Sequence, residues 1–585
     1  DAGAVLDLYA GQPSTTLHSL EGAGTLLNDG ATSIIRSGNF AGMISGTQTV
    51  LKNGSGTLIL SGDNDYSGST LVDQGRLQIG AGGSSAISGT LGSNNAIVGS
   101  GATLAFARSD DHTVSNQIDG DGIVEQAGPG VLTLTGANTY TGGTLITAGL
   151  IGFTGSGNFG SGGIVMNGGG LQWAVGNTTD ISSRVSGIGA GGAFFDTNGN
   201  DVTLASTLSG SGGLTKLGSG ILTLSGSNSF GGPVAVNDGI LYQNSASALG
   251  GARIILGGGT LDIGDYNLRL SQAASITGTG TLLSSGTGVL TTASGEDMVF
   301  GSLGGSIITS FGIAIDSGST LTMFGNNVLS GGILVDGKLV IGGSGAAGDA
   351  GNVLATIGSV ISFAHGVDNG ATILIASNTT QLEVLGTDVA TQSGAILEDV
   401  AGRGFEKIGS GTLNLTGANG YSGTTLVTGG MLGFNQQAIG NSAAITIDND
   451  AAVRLLEDID HSGAMTILAK GGTVVTDSYT FTIAGGVDFQ GELTKIGVGT
   501  LLLRDENDAG SGAGGINVTA GTLALGSSTA AGTGTIKLAD ATTLLNASCG
   551  CAPLTLTNAI QIALGGTATI DADGYETVLN GSLTG

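Results

Sequence analysis

Proline and long apolar runs are nearly absent from this chain. Four prolines occur in 585 residues, and no run of about 18 consecutive apolar residues exists, although the mean hydropathy is +0.32. Proline removes a backbone donor, so its scarcity suits a chain folded as a hydrogen-bonded β-ladder. The missing apolar run excludes a membrane-spanning helix. Helical patterning is essentially absent as well.

Basic residues are also scarce. The chain has 16 Lys and Arg against 44 Asp and Glu, for a net charge of −28. Such a surface repels phosphate and anionic membranes, which argues against nucleic acid as a partner. The acidic residues are scattered, which favours a solvated surface over a site for a cationic partner. The chain opens at Asp1 without Met or an apolar leader, as expected of a mature secreted segment.

Cysteine occurs twice, at Cys549 and Cys551, with one glycine between the two. One interpretation is a strained disulfide that closes a very small loop in an oxidising compartment. A metal or redox pair is the weaker alternative, because no His or further Cys lies nearby to complete a tetrahedral site. The sequence therefore predicts no metal and no cofactor. The two cysteines are a disulfide candidate, and the disulfide would stabilise a turn.

Glycine, by contrast, fills 115 positions, many of them in the motif Gly-x-Gly-Thr-Leu-x-Leu-x-Gly-x-Asn-x-Tyr-x-Gly. A residue just before each copy serves as an anchor for alignment. The anchors are Lys52, Gln126, Lys216, Lys407 and Lys495.

The spacing of the anchors predicts two further copies. The intervals are 74, 90, 191 and 88 residues, and the long one accommodates a decayed copy anchored at Ile315. The terminal segment Gly581–Gly585 matches the start of another copy. We therefore expect the chain to be a fragment or trimmed segment that stops at the threshold of a further repeat.

Alternation inside the motif indicates a β-strand. Two leucines recur two positions apart, while the residue between them varies, so the leucines face a core and the variable residue faces water. These predicted core leucines are Leu58, Leu60, Leu132, Leu134, Leu222, Leu224, Leu413, Leu415, Leu501 and Leu503. The following Asn-x-Tyr-x-Gly is predicted to form a tight corner, with residues that accept positive φ or bond their own backbone.

A period of roughly ninety residues with strand content predicts a solenoid whose units bury one continuous core. A rung of a parallel β-helix needs roughly 20–25 residues, so each unit should contain about four rungs. With rungs stacked at about 4.8 Å, the chain should form a rod on the order of 120 Å long, straight or bent. The sequence thus predicts a single continuous all-β domain over residues 1–585.

The run Gly-Ser-Gly-Thr-Leu-Asn-Leu-Thr-Gly-Ala-Asn-Gly-Tyr-Ser-Gly at 409–423, together with its relatives, resembles the passenger-associated transport repeat of bacterial autotransporters. This resemblance implies a right-handed parallel β-helix, exported through the periplasm and then through a C-terminal translocator barrel, which is absent from this chain. It places the protein at the cell surface or outer membrane of a Gram-negative bacterium, or outside the cell. Sparse, closely spaced cysteines are typical of such passengers.

The sequence contains little evidence for catalytic residues. Asp316-Ser-Gly-Ser319 resembles part of the motif around a serine-protease nucleophile, but it falls inside the decayed repeat. A Ser-His-Asp triad needs a histidine, and the chain offers His18, His112, His365 and His461. Two of these, His112 and His461, follow acidic residues, and a solvated loop explains them.

Other candidate sites align with the repeat. Trp173 aligns with Phe106 and Ile263, which favours a core position over a sugar-stacking platform. The acidic segments that begin at Asp196 and Asp571 concentrate oxygen ligands but do not continue as EF-hand loops. Together with the segment that begins at Asp477, they are interpreted as one recurring corner. Weak calcium binding at some of these corners stays an alternative.

The leading functional hypothesis is a non-enzymatic adhesin or self-association protein that acts in aggregation or biofilm formation. Its expected partners are a host-cell surface or matrix component, another copy of itself on a neighbouring cell, and its own C-terminal barrel during export; the binding surface itself is unknown. The alternative is a structural export stalk that carries an effector or enzymatic domain outside this segment. A polysaccharide-acting β-helix enzyme is a weaker alternative, because no carboxylate cluster with a basic partner is evident.

Overall fold

Short parallel strands and tight turns make up the chain. The computed structural model describes residues 3–8, 13–270, 276–292, 297–300, 307–309, 312–324, 327–329, 331–348, 352–439, 444–504, 514–548 and 553–585. Within these residues the strands stack as coils of a parallel β-solenoid, and two single 3-10 turns, Ser156–Phe159 and Ser182–Arg184, are the helical elements. The predicted all-β parallel solenoid is confirmed. The cysteine pair, Cys549 and Cys551, lies outside the described residues. So do Asn507 and Ala509, which stand at the Asn and Tyr positions of the motif copy anchored at Lys495.

The chain divides into two compact units, residues 1–268 with 273–288, and residues 269–272 with 289–585. Each coil contributes up to three strands, which form three faces per unit. None of the helical turns in the described part is long and apolar enough to cross a membrane.

The three faces of the first unit are named A, B and C, and the chain passes from A to B to C in each coil. Face A holds Ser14–Leu17, Thr32–Ile35, Thr49–Lys52, Thr70–Val72, Ala96–Val98, Ile118–Asp119, Val202–Leu204, Ile221–Leu224, Ile240–Gln243, Thr260–Asp262 and Thr281–Ser284. Face B holds Leu20–Gly22, Gly38–Phe40, Thr57–Leu60, Arg76–Ile79, Thr103–Phe106, Ile123–Gln126, Thr144–Ile146, Ile164–Met166, Val185–Ile188, Ser209–Gly210 and Ser229–Phe230. Face C holds Val5–Asp7, Thr25–Leu27, Met43–Ser45, His112–Val114, Val131–Leu134, Leu150–Phe153, Gly169–Trp173, Ala193–Asp196, Leu214–Leu217, Val234–Val236, Ile254–Leu256 and Ile276–Gly278. The strand Leu268–Leu270 lies where the chain passes between the units.

The faces of the second unit are named D, E and F in the same way. Face D holds Leu290–Thr292, Ile313–Ile315, Ile333–Val335, Asn352–Ala355, Thr372–Ile375, Ile396–Glu398, Ile459–His461, Thr480–Ile483, Thr500–Leu503, Thr522–Leu525, Thr542–Asn546 and Ala568–Asp571. Face E holds Asp297–Phe300, Thr320–Met323, Lys338–Ile341, Val360–Phe363, Gln381–Val384, Phe405–Ile408, Thr425–Val427, Ile445–Ile447, Met465–Ile467, Val487–Phe489, Leu554–Leu556 and Thr577–Leu579. Face F holds Ile307–Thr309, Val328–Leu329, Asp368–Asn369, Val389–Gln392, Thr412–Leu415, Met431–Phe434, Ala452–Leu455, Gly472–Val475, Leu493–Ile496, Ile516–Val518, Ile536–Leu538, Ile560–Ile562 and Leu583–Thr584.

The core is built from equivalent side chains of successive coils. Leu58 pairs in register with Leu77, and Leu77 pairs with Leu104, so a leucine of one coil stacks on a leucine of the next. The ten motif leucines are each between 0 and 2% exposed. Period-two alternation puts these side chains inward on every strand, because successive side chains point to opposite faces.

Successive anchors lie four full coils apart plus one further face. Gln126 lies on face B and pairs upward through Ile146, Met166 and Ile188 to Gly210, four coils later. The next anchor, Lys216, follows six residues beyond Gly210, on face C.

The second unit follows the same rule. Lys407 on face E pairs upward through Val427, Ile447 and Ile467 to Phe489, and Lys495 follows six residues later on face F. The expectation of about four rungs therefore needs refinement. A ninety-residue repeat spans four rungs and a third, so the anchor moves to the next face each time.

Candidate functional site

The anchors used for alignment are buried polar side chains. Lys52, Lys216, Lys407 and Lys495 are each 0% exposed, and Gln126 is 2% exposed. Each occupies an inward position of its strand, where an apolar residue would be expected. Their burial was not anticipated from the sequence. The recurrence of Lys or Gln at one position before each Gly-x-Gly was the signal that could have indicated it.

Every anchor donates a hydrogen bond to the turn that follows it. The acceptor common to all five copies is the carbonyl of the first Gly in Gly-x-Gly, two residues after the anchor. The donor to acceptor distances are 2.5 Å to Gly54, 2.8 Å to Gly128, 2.5 Å to Gly218, 3.0 Å to Gly409 and 2.6 Å to Gly497. The side chain thus folds over its own turn and satisfies carbonyls that the β-ladder leaves unpaired.

The lysines also reach the next coil. The Nζ atom of each donates to a carbonyl in the equivalent turn one coil above, at 2.9 Å to Gln74, 3.3 Å to Asp238, 3.0 Å to Gly429 and 2.9 Å to Ala520. Two of them also bond the coil below, through the hydroxyls of Thr197 and Thr476. One ammonium therefore ties two or three consecutive coils together.

A glycine closes this site from above. The residue after each of these four acceptors is Gly75, Gly239, Gly430 or Gly521, and Gly149 is its equivalent in the copy anchored at Gln126. All five have φ between 55° and 72°. A Cβ at Gly430 would lie 2.3 Å from the carbonyl oxygen of Gly411 and 2.7 Å from that of Gly409. Only glycine accepts both this backbone conformation and this approach.

Burial disfavours the charged ammonium. It lowers the pKa of Lys216, Lys407 and Lys495 to about 8. The charges of Asp238 and Asp196 oppose this shift at Lys216, and the charge of Glu383 opposes it at Lys407. Among the described residues none of these lysines forms an ion pair, so the carbonyl hydrogen bonds are the main compensation for removing the charge from water.

The asparagine of the motif joins coils in a similar way. Its Oδ1 accepts from a backbone N–H of the coil below, and its Nδ2 donates to a carbonyl of the coil above. For Asn138 the partners are Ile118 N at 2.8 Å and Asn158 O at 2.6 Å. Asn64, Asn228 and Asn419 repeat both bonds.

The tyrosine of the motif is fully inside. Tyr66, Tyr140 and Tyr421 are 0 to 1% exposed, and each hydroxyl lies 2.7 Å from the hydroxyl of a threonine four residues later. In the third repeat the pair is replaced by Phe230 and Val234, so both hydroxyls are missing together.

These contacts correct the interpretation of Asn-x-Tyr-x-Gly as a corner of locally bonded, positive-φ residues. None of the four asparagines just described has positive φ. Asn64 does bond the carbonyl of Gly62 nearby, at 3.1 Å, but its other two bonds cross between coils. The four asparagines belong to an interior network and are 6 to 9% exposed.

Three of the four histidines and the candidate nucleophile Ser319 take the following positions in the described part of the chain. His461 lies in the strand Ile459–His461 and is 3% exposed, so its placement in a solvated loop was wrong. His112 begins the strand His112–Val114 and is half-buried, which also corrects the loop interpretation. His365 is exposed beside Asp388, with Nδ1 to Oδ1 at 3.4 Å. Ser319 is 1% exposed, which is unsuited to a nucleophile that must meet a substrate.

Trp173 and the acidic corners take structural positions. Trp173 is 0% exposed and packs between Phe153 and Phe195, with ring centroids 5.1 and 6.2 Å away. The corners share a residue of positive φ, with values of 50° at Asn198, 48° at Asp477 and 44° at Asp573. In the described part of the chain no group of three or more His, Cys, Asp or Glu is arranged to hold a metal ion.

The family comparison matches this network. The model of the passenger-associated-transport-repeat matches residues 50–79, 124–151, 214–242, 405–433 and 493–525. Each segment contains one anchor and its turn glycine. The chain carries these passenger-associated-transport-repeats. It is an exported protein of a Gram-negative bacterium, associated with the outer membrane or secreted. The copies inferred at Ile315 and Gly585 are not among the matched segments and stay predictions.

The passenger is also similar to the adhesin BmaC autotransporter of Brucella suis biovar 1 (strain 1330). The two are 27% identical over 547 residues, which is 85% of this chain and 15% of the relative. The chain thus spans 15% of the length of that relative. No solved structure matches the chain.

Replacing Lys407 tests the carbonyl network. Lys407→Met should destabilise the fold by about 2–4 kcal/mol, because it leaves several buried carbonyls without a donor. Lys407→Gln should cost about 1 kcal/mol, because Gln126 already fills the same position in the second repeat with two such bonds. Thermal and urea unfolding followed by far-UV circular dichroism provide the measurement. Equal losses for Met and Gln would contradict the hydrogen-bonding role.

The lowered pKa of Lys407 predicts a pH dependence. The folded pKa is about 8 and the ordinary value is 10.5, so between these values the unfolded chain binds more protons and folded stability rises with pH. Relative to Lys407→Gln, the wild-type chain should gain on the order of 1–2 kcal/mol from pH 7.5 to 9.5. The difference between the two unfolding curves cancels the titration of other groups. A difference that is constant or falls with pH would refute the shift.

The tyrosine–threonine pair suits a double-mutant cycle. Tyr421→Phe or Thr425→Val alone leaves one buried hydroxyl unpaired and should cost about 1–2 kcal/mol. The double variant recreates the Phe230 and Val234 pair of the third repeat and should recover much of that loss. Additive losses in the unfolding midpoints would show that the two hydroxyls are not coupled.

Proposed function

We propose that this passenger is a non-enzymatic adhesin. It attaches the bacterium to a host-cell surface or matrix component, or to a neighbouring cell that carries the same protein. The name of the relative from Brucella suis supports the class of function. The placement of the histidines, either in strands or exposed, supports the absence of catalysis.

Binding must use outward positions, because the repeated polar residues are turned inward. Thr, Ser, Asn and charged residues fill many of the outward strand positions, and apolar rows lie among them. Face D carries one such row, made of leucines. The row consists of Leu334, Leu354, Leu374 and Leu397, which pair in register on four successive coils. We call it the leucine ladder.

The leucine ladder is the observation that carries this proposal. Leu334 is 41% and Leu397 is 40% exposed, and the two central leucines are half-buried. Coils stack at about 4.8 Å, so the row presents a flat apolar strip about 14 Å long. Contiguous exposed apolar surface on a soluble protein marks an interaction site more often than scattered single residues do.

A single ladder is too small for a stable complex in solution, since specific interfaces bury about 800 Å² per partner. Many copies on one cell compensate for weak individual contacts through multivalency. For contacts between identical passengers, the net charge of −28 opposes association, and salt screens this repulsion. The strip therefore suits attachment of cells better than dimerisation of free protein.

The export stalk remains the second candidate. The buried lysine and asparagine network supports it, because those contacts explain how coils stack and contribute nothing to recognition. In this case the binding or effector domain lies elsewhere in the protein, and the outward leucines have no partner.

Displayed passengers distinguish these candidates. Cells that carry Leu354→Thr with Leu374→Thr should settle and attach to host cells at least several-fold less than wild type, because the centre of the apolar strip is gone. A matched control, Thr466→Ser with Thr473→Ser, changes two outward threonines on faces E and F and should behave as wild type. Surface expression is checked by labelling. Unchanged settling and attachment of the leucine variant, or of cells without the passenger, would reject the proposal.

A further inference from the structure

A recess of about 580 Å³ lies on face E, beside the corner with face D. It is lined by residues of five successive coils, from Gln381 at the bottom to Leu468 at the top. At about 4.8 Å per coil it spans about 19 Å along the solenoid. Its volume falls within the roughly 300–1,000 Å³ of small-molecule sites.

One wall of the recess is the loop between face D and face E, residues 399–404, which we call the corner loop. It has six residues, whereas the same corner has four in the coil at 356–359 and five in the coil at 376–380. Gly402 and Gly404 of this longer loop line the recess beside the outward surface of face E.

The corner loop is held in one conformation by bonds to both neighbouring coils. The Gly404 N–H donates to Asn378 Oδ1 of the coil below at 3.1 Å, and the Gly402 N–H donates to Ser422 Oγ of the coil above at 2.8 Å. The Glu398 carboxylate accepts from Ser422 Oγ at 2.7 Å and from the Arg403 N–H at 2.9 Å. A wall fixed in this way is preorganised, which reduces the ordering cost of binding.

The polar groups of the recess are oriented by hydrogen bonds to one another, to the corner loop and to Thr428. Gln381 Nε2 donates to Glu406 Oε2 at 2.8 Å, which leaves the Gln381 carbonyl as an acceptor. Asn378 uses Oδ1 for the corner loop, which leaves its amide nitrogen as a donor. The second Glu406 oxygen accepts from Thr428 Oγ1 at 2.5 Å. The site therefore offers amide donors and acceptors at fixed places.

The floor of the recess combines apolar and hydroxyl groups. Leu426 and Leu468 are half-buried, and Thr446 lies between them on the outward surface. A ligand that fits must have an apolar side for the two leucines and several hydrogen-bonding groups at its edge for the amides and threonines.

We propose that this recess binds an uncharged oligosaccharide. A sugar ring carries apolar C–H faces together with hydroxyls that donate and accept, which matches the leucine floor and the oriented amides. A purely apolar ligand would leave Gln381 and Asn378 desolvated without partners. The Glu406 carboxylate and the net charge of −28 repel anionic glycans. A cationic ligand has little to pair with, because Glu406 is the one charged residue of the lining and both its oxygens already accept hydrogen bonds.

This inference deepens the proposed adhesin function and rests on it for its biological setting. The corner loop separates the recess from the leucine ladder, since it begins directly after the strand that carries Leu397. A glycan seated in the recess would place the molecule that carries it next to the exposed leucines.

The experiment uses the 585-residue chain and a panel of neutral oligosaccharides built from glucose, galactose and N-acetylglucosamine, together with sialylated glycans and oligolysine. An array screen identifies binders, and saturation-transfer NMR measures the affinity for the best one. Gln381→Leu removes the oriented amide, and Thr446→Val removes a hydroxyl from the floor at nearly constant volume. Thr473→Val makes the same exchange at an outward, half-buried position of face F and serves as the matched control.

We expect at least one neutral oligosaccharide to bind, with a tenfold or greater loss for Gln381→Leu and a several-fold loss for Thr446→Val. Thr473→Val should bind as wild type, and circular dichroism should show that all three variants fold. No neutral binder at millimolar concentration, or binding that Gln381→Leu and Thr446→Val leave unchanged, would overturn the assignment. Binding confined to oligolysine or to sialylated glycans would overturn it too. If Gln381→Leu cells still attach, the recess is not the attachment site, but the adhesin function stands. If the chain binds the sugar while its display has no effect on attachment, the adhesin function alone is rejected.

Discussion

The stacking of coils constrains the rest of this structure. Each strand satisfies its backbone through the coils above and below, but the turns that follow the anchors interrupt that ladder and leave carbonyls facing the interior. Unpaired buried carbonyls are costly, and the passenger satisfies them with long polar side chains that enter the core. Lys407 alone donates to Ile408, Gly409, Gly411 and Gly429. The turn glycine of the coil above follows from the same contacts, because a Cβ at Gly430 would collide with two of the acceptors.

The architecture could be predicted from the sequence. The structural role of the recurring lysines and asparagines of the repeat could not. Alternating leucines such as Leu58 and Leu60 indicate strands, and the repeat distance indicates coils, because both depend on local periodicity. Buried Lys216 or Asn138 cannot be recognised in this way, since lysine and asparagine are ordinarily exposed and their partners lie some twenty residues away. His461 was misplaced for a related reason: its acidic neighbours suggested a loop, whereas strand alternation turns its side chain inward.

The candidate binding surfaces were harder still to predict. Leu334 and Leu397 are 63 positions apart, and nothing in either local sequence shows that they share a row. The recess depends on a difference of one or two residues in the length of a corner. Recognition in such a solenoid is thus separated from folding: inward positions and turn glycines are determined by stacking, while outward residues and corner lengths vary without cost to the core.

The extra third of a coil in each repeat has a geometric consequence for the passenger. Within a unit, adding or deleting one ninety-residue repeat turns every later outward surface by one face about the solenoid axis. Three such changes restore the original direction. The number of repeats would therefore determine the side of the solenoid on which a later binding surface lies. No residue of that surface would need to change.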